Sequence, residues 1–335
     1  MILAAILPHT KLYGGVKRFL ELGNMFVARG HRFVLYTPDA KAPDWFDFKG
    51  EMQPFDSIGE IRPDAIMTTT PRFVELMKKS GASRKIFYHV RKSEKLKPIV
   101  ADPDVEIFSC STNVCDYDLR KYKCKTFKAA GGVTLADYTP RTDYSRPETR
   151  PFTVMAYGRL AERVKGTKYV VKACERLYRK GLDIKLLLFD TPTSDKGRMK
   201  ISNFVCSCPF EFVVGHPFHR NSELFGRADC FVSAENPAYS GWNNTVAEAM
   251  ACGLPVVSTT AGTADMITDG ATGIISARWV FCFEKHIRHL YGDERLRRRL
   301  GMAARERIAS FDWARLADDI IAHLEGDRQI QAESK

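Results

Sequence analysis

The chain has 335 residues, 44% hydrophobic and 27% charged, with 51 Lys/Arg against 40 Asp/Glu and a formal net charge of +11. That length and composition suit an ordinary globular protein of two domains, and no run approaches the roughly 20 apolar residues of a membrane span. Nine cysteines, several inside apolar segments (Cys110, Cys230, Cys252), read as reduced core residues of a cytosolic protein, and Cys206-Ser-Cys208 lacks the spacing and second pair of a zinc site.

Met1–Leu7 is apolar, without a basic leader, and reads as the first strand. After a polar turn over 9–15, Val16, Phe19, Leu20, Gly23, Phe26 and Val27 recur at helical spacing up to a stop at Gly30. Strands follow at 33–37, 65–69, 86–90, 107–111 and 126–130. Segment 138–151 is polar, holds three prolines and reads as a linker. Beyond it the spacing predicts strands at 152–157, 184–189, 212–214, 230–232 and 255–258, with helices near 167–179, 222–227 and 245–252. Alternating strand and helix implies right-handed βαβ units and a parallel sheet in each half. The expected division is 1–145 and 146–335, with the last helix, about 312–330, a candidate to pack back on the first domain. Ligands of such sheets bind at the carboxyl ends of the strands.

Two features carry chemistry. The segment 239–257, YSGWNNTVAEAMACGLPVV, is a Gly-containing turn feeding a helix that stops at Gly253. Asn243 and Asn244 are good N-caps, and Thr245-x-x-Glu248 fits a capping box. That capping role accounts for Glu248 by itself; the functional reading of the same helix start is that its exposed amides and dipole bind a phosphate, with Glu248, one turn in, able to reach a ribose hydroxyl. The second feature is charge: residues 72–128 hold 14 Lys/Arg against 7 Asp/Glu, a net of +7. Anionic lipid, a phosphorylated acceptor or a solvated basic face would each account for it, whereas no recognition motif supports nucleic acid.

The 239–257 segment resembles the signature of the retaining family 4 (group 1) glycosyltransferases, whose GT-B fold has two Rossmann-like domains facing each other across a cleft. Gly241, Trp242, Asn244, Glu248, Ala249, Met250, Ala251, Gly253, Pro255, Val256 and Val257 fall in register. Gly14-Gly15, Tyr157-Gly-Arg159-Leu160 with Lys165-Gly166, Gly132-Val-Thr with Tyr138-Thr-Pro140, and Asp265 with Gly273 extend the likeness along the chain.

The resemblance implies a hexosyltransferase that moves a sugar from a nucleoside-diphosphate sugar to a glycan, lipid-linked or small-molecule hydroxyl acceptor. No cofactor and no metal are implied, and the setting is cytoplasmic or peripheral at an anionic membrane. Arg159 and Lys165 would neutralise the departing diphosphate. His89 would face the transferred sugar. Gly14, Gly15, Gly241, Trp242, Asn243, Asn244, Thr245 and Glu248 would hold the donor. Where the family carries the first Glu of a Glu-x7-Glu pair, this chain departs from the pattern with Ser240; Glu235 lies five residues earlier, and the sequence does not show whether it leans in. Other readings are an epimerase of the same fold, or a sugar-nucleotide binder without turnover. Asp116-Tyr-Asp118 matches the Asp-x-Asp of the metal-dependent GT-A fold, but reads here as the acidic start of a helix.

Overall fold

A computed structural model describes residues 1–333 except 93, 146–148, 193 and 240, with the backbone alone described at 94, 218 and 327–333. The chain divides into two compact units, Met1–Gly132 with Phe311–Lys335, and Val133–Ser310.

The first unit is a seven-stranded sheet: β1 (Ile2–Ile6), β2 (Arg32–Thr37), β3 (Glu51–Pro54), β4 (Ala65–Thr68), β5 (Arg84–His89), β6 (Glu106–Ser109) and β7 (Phe127–Lys128), in the order β3-β2-β1-β4-β5-β6-β7. All its pairings are parallel. Residues such as Ala4, Ile6, Val34, Ile66, Phe87 and Ile107 are buried in one apolar cluster. Such near-continuous burial is what a parallel sheet covered on both faces demands. The first helix runs Gly14–Ala28, and Gly30 ends it at φ +78°, its N–H donating to the Val27 carbonyl at 2.9 Å. Glycine enters that left-handed conformation without a Cβ clash. β3 escaped the hydrophobic pattern because Glu51-Met-Gln-Pro54 is an edge strand without a buried residue.

The second unit holds β8 (Phe152–Tyr157), β9 (Ile184–Asp190), β10 (Phe210–Val214), β11 (Cys230–Ser233), β12 (Val256–Ser258) and β13 (Ile274–Ile275), in the order β10-β9-β8-β11-β12-β13. All pairings are again parallel. Helices Thr167–Arg179 and Val280–Gly292 cover one face, bringing Val170, Cys174, Leu177, Phe283 and Ile287 onto Val154, Leu186 and Leu188.

The division falls at Gly132/Val133 rather than at 145/146. The Pro-rich segment is sewn onto the second unit: Arg141 pairs with Asp229 at 2.8 Å, the Tyr144 hydroxyl donates to the Gly253 carbonyl at 2.9 Å, and Arg297 donates to the Tyr144 carbonyl at 2.8 Å. Its polar residues look like a free linker in sequence, yet their partners lie far along the chain. The last helix, Trp313–Glu333, clusters with the first unit. Trp313 is buried there, with the Arg18 guanidinium 5.3 Å from its ring, and Gly132 lies so close that a Cβ would sit 2.7 Å from the indole.

Candidate functional site

In the second unit the carboxyl ends of β8 and β11 and the start of helix Asn244–Ala251 line one small cavity, whose walls include Tyr157, Lys165, Ser233, Glu235 and Thr245. Arg159 and Lys165 both stand over the Tyr157 ring, at 5.2 and 5.9 Å from its centroid. Neither merely solvates a loop. Arg159 donates to Asp190 at 3.0 Å, to Glu162 at 3.3 Å and to the Thr191 carbonyl at 3.3 Å, with its side chain 12% exposed. Burial pushes the Asp190 carboxyl up and the Arg159 guanidinium opposes it, while burial first, and then the Asp190 charge, push the Tyr157 phenol up. Lys165 Nζ lies 3.0 and 2.9 Å from the two oxygens of Glu235.

Two loops are locked together to make this arrangement. Gly166 has φ +68°, and a Cβ there would stand 2.0 Å from the Ala234 carbonyl oxygen. The Asn236 N–H donates to the Val164 carbonyl at 2.8 Å, and Arg278 clamps the carbonyls of Ala234, Arg163 and Val164 at 2.8, 3.0 and 3.2 Å. Thr259 holds the Glu235 carbonyl from below at 2.6 Å. The member of this arrangement least visible in the sequence is therefore Glu235, buried and carried by Ala234 and Asn236 to Lys165.

Asn243 is the N-cap: its Oδ1 accepts from the Val246 N–H at 3.3 Å, and its Nδ2 reaches Ser233 at 3.2 Å, the Ala261 carbonyl at 3.4 Å and Glu235 at 3.5 Å. This overturns the capping box. With Asn243 as cap, Thr245 is the second helical residue and donates to Asn243 Oδ1 at 3.0 Å, leaving Glu248 beyond the capping turn and buried. Gly241 is buried, and Trp242, Asn244 and Thr245 are half-buried around the helix start; Ser240 lies outside the described residues. Where a phosphate binds a helix start, the first amides and any nearby cation hold it.

In the first unit Gly14 and Gly15 open the first helix, so their amides belong to the turn that has no intrahelical acceptors. A Cβ on Gly15 would lie 4.0 Å from Val90, the residue after β5. His89 ends β5, so the two features share the carboxyl edge of that sheet. His89 is 2% exposed, and its Nδ1 lies 2.8 and 3.0 Å from the two oxygens of Asp118. This corrects the placement of Asp116 and Asp118. Helix Thr112–Tyr122 is capped by Ser111 and has no acid in its first turn, so both aspartates lie deeper in it, and Asp118, fully buried, is spent on His89. Among the described residues no group of three or more His, Cys, Asp or Glu is placed to hold a metal ion. Part of the basic excess is likewise engaged, Lys78 by Asp102 and Arg84 by Glu106. No described helix is long and apolar enough to cross a membrane.

Two parallel-sheet α/β domains of this kind form the GT-B fold. Solved structures similar over nearly the whole chain include sucrose-phosphate synthase from Thermosynechococcus elongatus (TM-score 0.77, 18% identity, 99% of each chain). Anabaena HepE in complex with UDP-glucose is another (TM-score 0.75, 15% identity, 97% of this chain and 100% of that one). Residues 151–293 match the family described as Glycosyl transferases group 1. The D-inositol 3-phosphate glycosyltransferase of Paenarthrobacter aurescens (strain TC1) is 32% identical over 207 residues, 56% of this chain and 48% of that protein. The chain thus spans about half the length of the curated relatives it matches. Over residues 151–293 the chain is thus similar to the group 1 glycosyltransferases, and over nearly its whole length it has their GT-B fold.

Proposed function

We propose that this chain transfers a sugar from a nucleoside-diphosphate sugar to a hydroxyl acceptor, with retention of configuration and without a metal ion. The observation that carries the reading is that two cations, Arg159 and Lys165, flank one aromatic ring beside the amide-bearing start of helix Asn244–Ala251. As the glycosidic bond breaks, the diphosphate gains negative charge. Preorganised cations and amides stabilise that charge more in the transition state than in the ground state, each such group contributing about 2–4 kcal/mol. In the retaining reading the donor phosphate itself takes the acceptor's proton. HepE, solved with UDP-glucose, supports a nucleotide-sugar donor. Glu235 takes the place of the carboxylate expected at position 240, because it already binds the diphosphate-side lysine. The acceptor reading is a phosphate-bearing or lipid-linked hydroxyl compound. The support is the +7 excess of residues 72–128, together with relatives named for inositol 3-phosphate.

A thermal-shift panel of UDP, GDP, ADP and their sugar conjugates tests the donor site. A nucleotide at about a hundred times its dissociation constant stabilises by about 2.7 kcal/mol. No shift with any of them defeats the proposal. UDP release that requires an added acceptor separates transfer from epimerisation, which would proceed without one.

A further inference from the structure

His89 carries two observations that belong together. Its Nε2 is buried without a hydrogen-bond partner, a costly state for a polar atom, while its Nδ1 is held by Asp118. Behind Asp118 runs a chain of short contacts: Ser109 Oγ to Asp118 Oδ2 at 2.8 Å, Ser109 Oγ to Thr126 Oγ1 at 2.8 Å, and Thr126 Oγ1 to Cys115 Sγ at 3.6 Å.

The proton inventory gives this chain one direction. An ionised carboxylate only accepts, and each hydroxyl has a single hydrogen to give. Ser109 therefore donates to Asp118 and must accept from Thr126. Thr126 Oγ1 and, beside it, Ser109 are the hydrogen-bond partners of the Cys115 thiol. Burial, the largest influence on Cys115, pushes that thiol up, against the hydrogen bonds of Thr126 and Ser109. The same carboxylate demands a hydrogen on His89 Nδ1, which in the neutral imidazole leaves the lone pair on Nε2.

We propose that Asp118 is a positioning residue: backed by Cys115, Thr126 and Ser109, it locks His89 in the Nδ1–H tautomer and presents Nε2 as the acceptor for a substrate hydroxyl. The placement suits the task. Nε2 belongs to the last residue of β5, on the sheet edge shared with Gly15, and carboxyl edges are where such sheets bind ligands. The hydroxyl assignment rests on the transferase reading, whereas the tautomer does not.

The test is 15N NMR of the full chain labelled at histidine, with the His89 signals among the eight histidines assigned by loss in His89→Gln. The expected spectrum at pH 8 has Nδ1 protonated and Nε2 bare; a protonated Nε2 overturns the proposal. In Asp118→Leu, similar in size and without an acceptor, the proton should move to Nε2. Turnover should then fall about tenfold or more, while donor KM changes less than about threefold. Unchanged turnover in a folded Asp118→Leu overturns the proposal, and should that variant fail to fold, the wild-type spectrum still decides. UDP, UDP-glucose, and UDP-glucose with D-inositol 3-phosphate are then added in turn. Movement of the Nε2 signal with UDP-glucose but not UDP assigns the hydroxyl to the transferred sugar. Movement only in the last mixture assigns it to the acceptor. Compounds that raise the melting temperature yet leave Nε2 unmoved overturn the hydroxyl role, whereas a melting temperature raised by none of them defeats the transferase reading and leaves the tautomer standing on its spectrum.

Discussion

Lys165 binds both oxygens of Glu235, at 3.0 and 2.9 Å, with the carboxylate side chain 11% exposed and the ammonium 26% exposed. The pair couples a cation at the strand end to a carboxylate that the sequence motif would place five residues later. Because each group is the other's partner, removing one leaves a partly buried charge behind, and on the proposed function stability and catalysis should change together.

Lys165→Ala should therefore lower turnover about 100-fold or more and cost roughly 1–3 kcal/mol of stability. In Lys165→Ala/Glu235→Ala the stability loss should shrink while turnover stays low. Urea melts and initial rates on the four members of the cycle check this. A Lys165→Ala chain with wild-type turnover would remove the lysine from the site.

Gly166→Ala meets the Ala234 carbonyl as well as an unfavourable φ, so the two loops must part, and both melting temperature and turnover should drop severely. Gly181, at φ +81°, has nothing within 4 Å of a Cβ. Its alanine variant should cost only the left-handed backbone strain of about 1–2 kcal/mol and leave turnover unchanged. Equal losses in the two variants would contradict the clash.

Glu211 links Arg227 and Lys185, and the hydrogen bond from Arg227, followed by that from Lys185, holds its carboxyl below the usual glutamate value of 4.5. A depressed carboxyl contributes its stability fully above that value and loses it as pH falls through the lower folded value. The melting temperature of Glu211→Gln should lie below wild type at pH 7, and the gap should narrow as pH falls below 4.5. A gap that widens in acid would reverse the assigned sign.

If, as proposed, Arg159 and Lys165 supply the positive charge at the leaving group, activity should persist in excess EDTA; Asp118 is already paired with His89. Loss in EDTA with recovery on Mn²⁺ would refute the metal-independent reading.

Asp229, 1% exposed, accepts from Arg141 at 2.8 Å, from Arg150 at 2.7 and 3.0 Å, and from the Thr153 N–H at 2.7 Å. Asp229→Ala should cost about 3–5 kcal/mol, because two guanidinium groups and an amide lose a buried acceptor. Limited proteolysis should then cut first near 141–150; an unaltered cleavage pattern would mean that the segment is held by something else.

By itself the sequence determined the alternation of strands and helices, since apolar periodicity and stop residues such as Gly30 act locally. It also determined the motif around helix Asn244–Ala251, because Gly166 and the N-cap Asn243 need particular residue types at fixed spacing. Tertiary structure alone decided where the Pro-rich segment belongs, since Arg141 and Tyr144 find their partners at Asp229 and Gly253, far along the chain. The same holds for Glu235 and Asp118. Whether a carboxylate meets Lys165, and whether an aspartate faces water or a histidine, depends on which elements the sheet order brings side by side, and no local pattern along the chain records that.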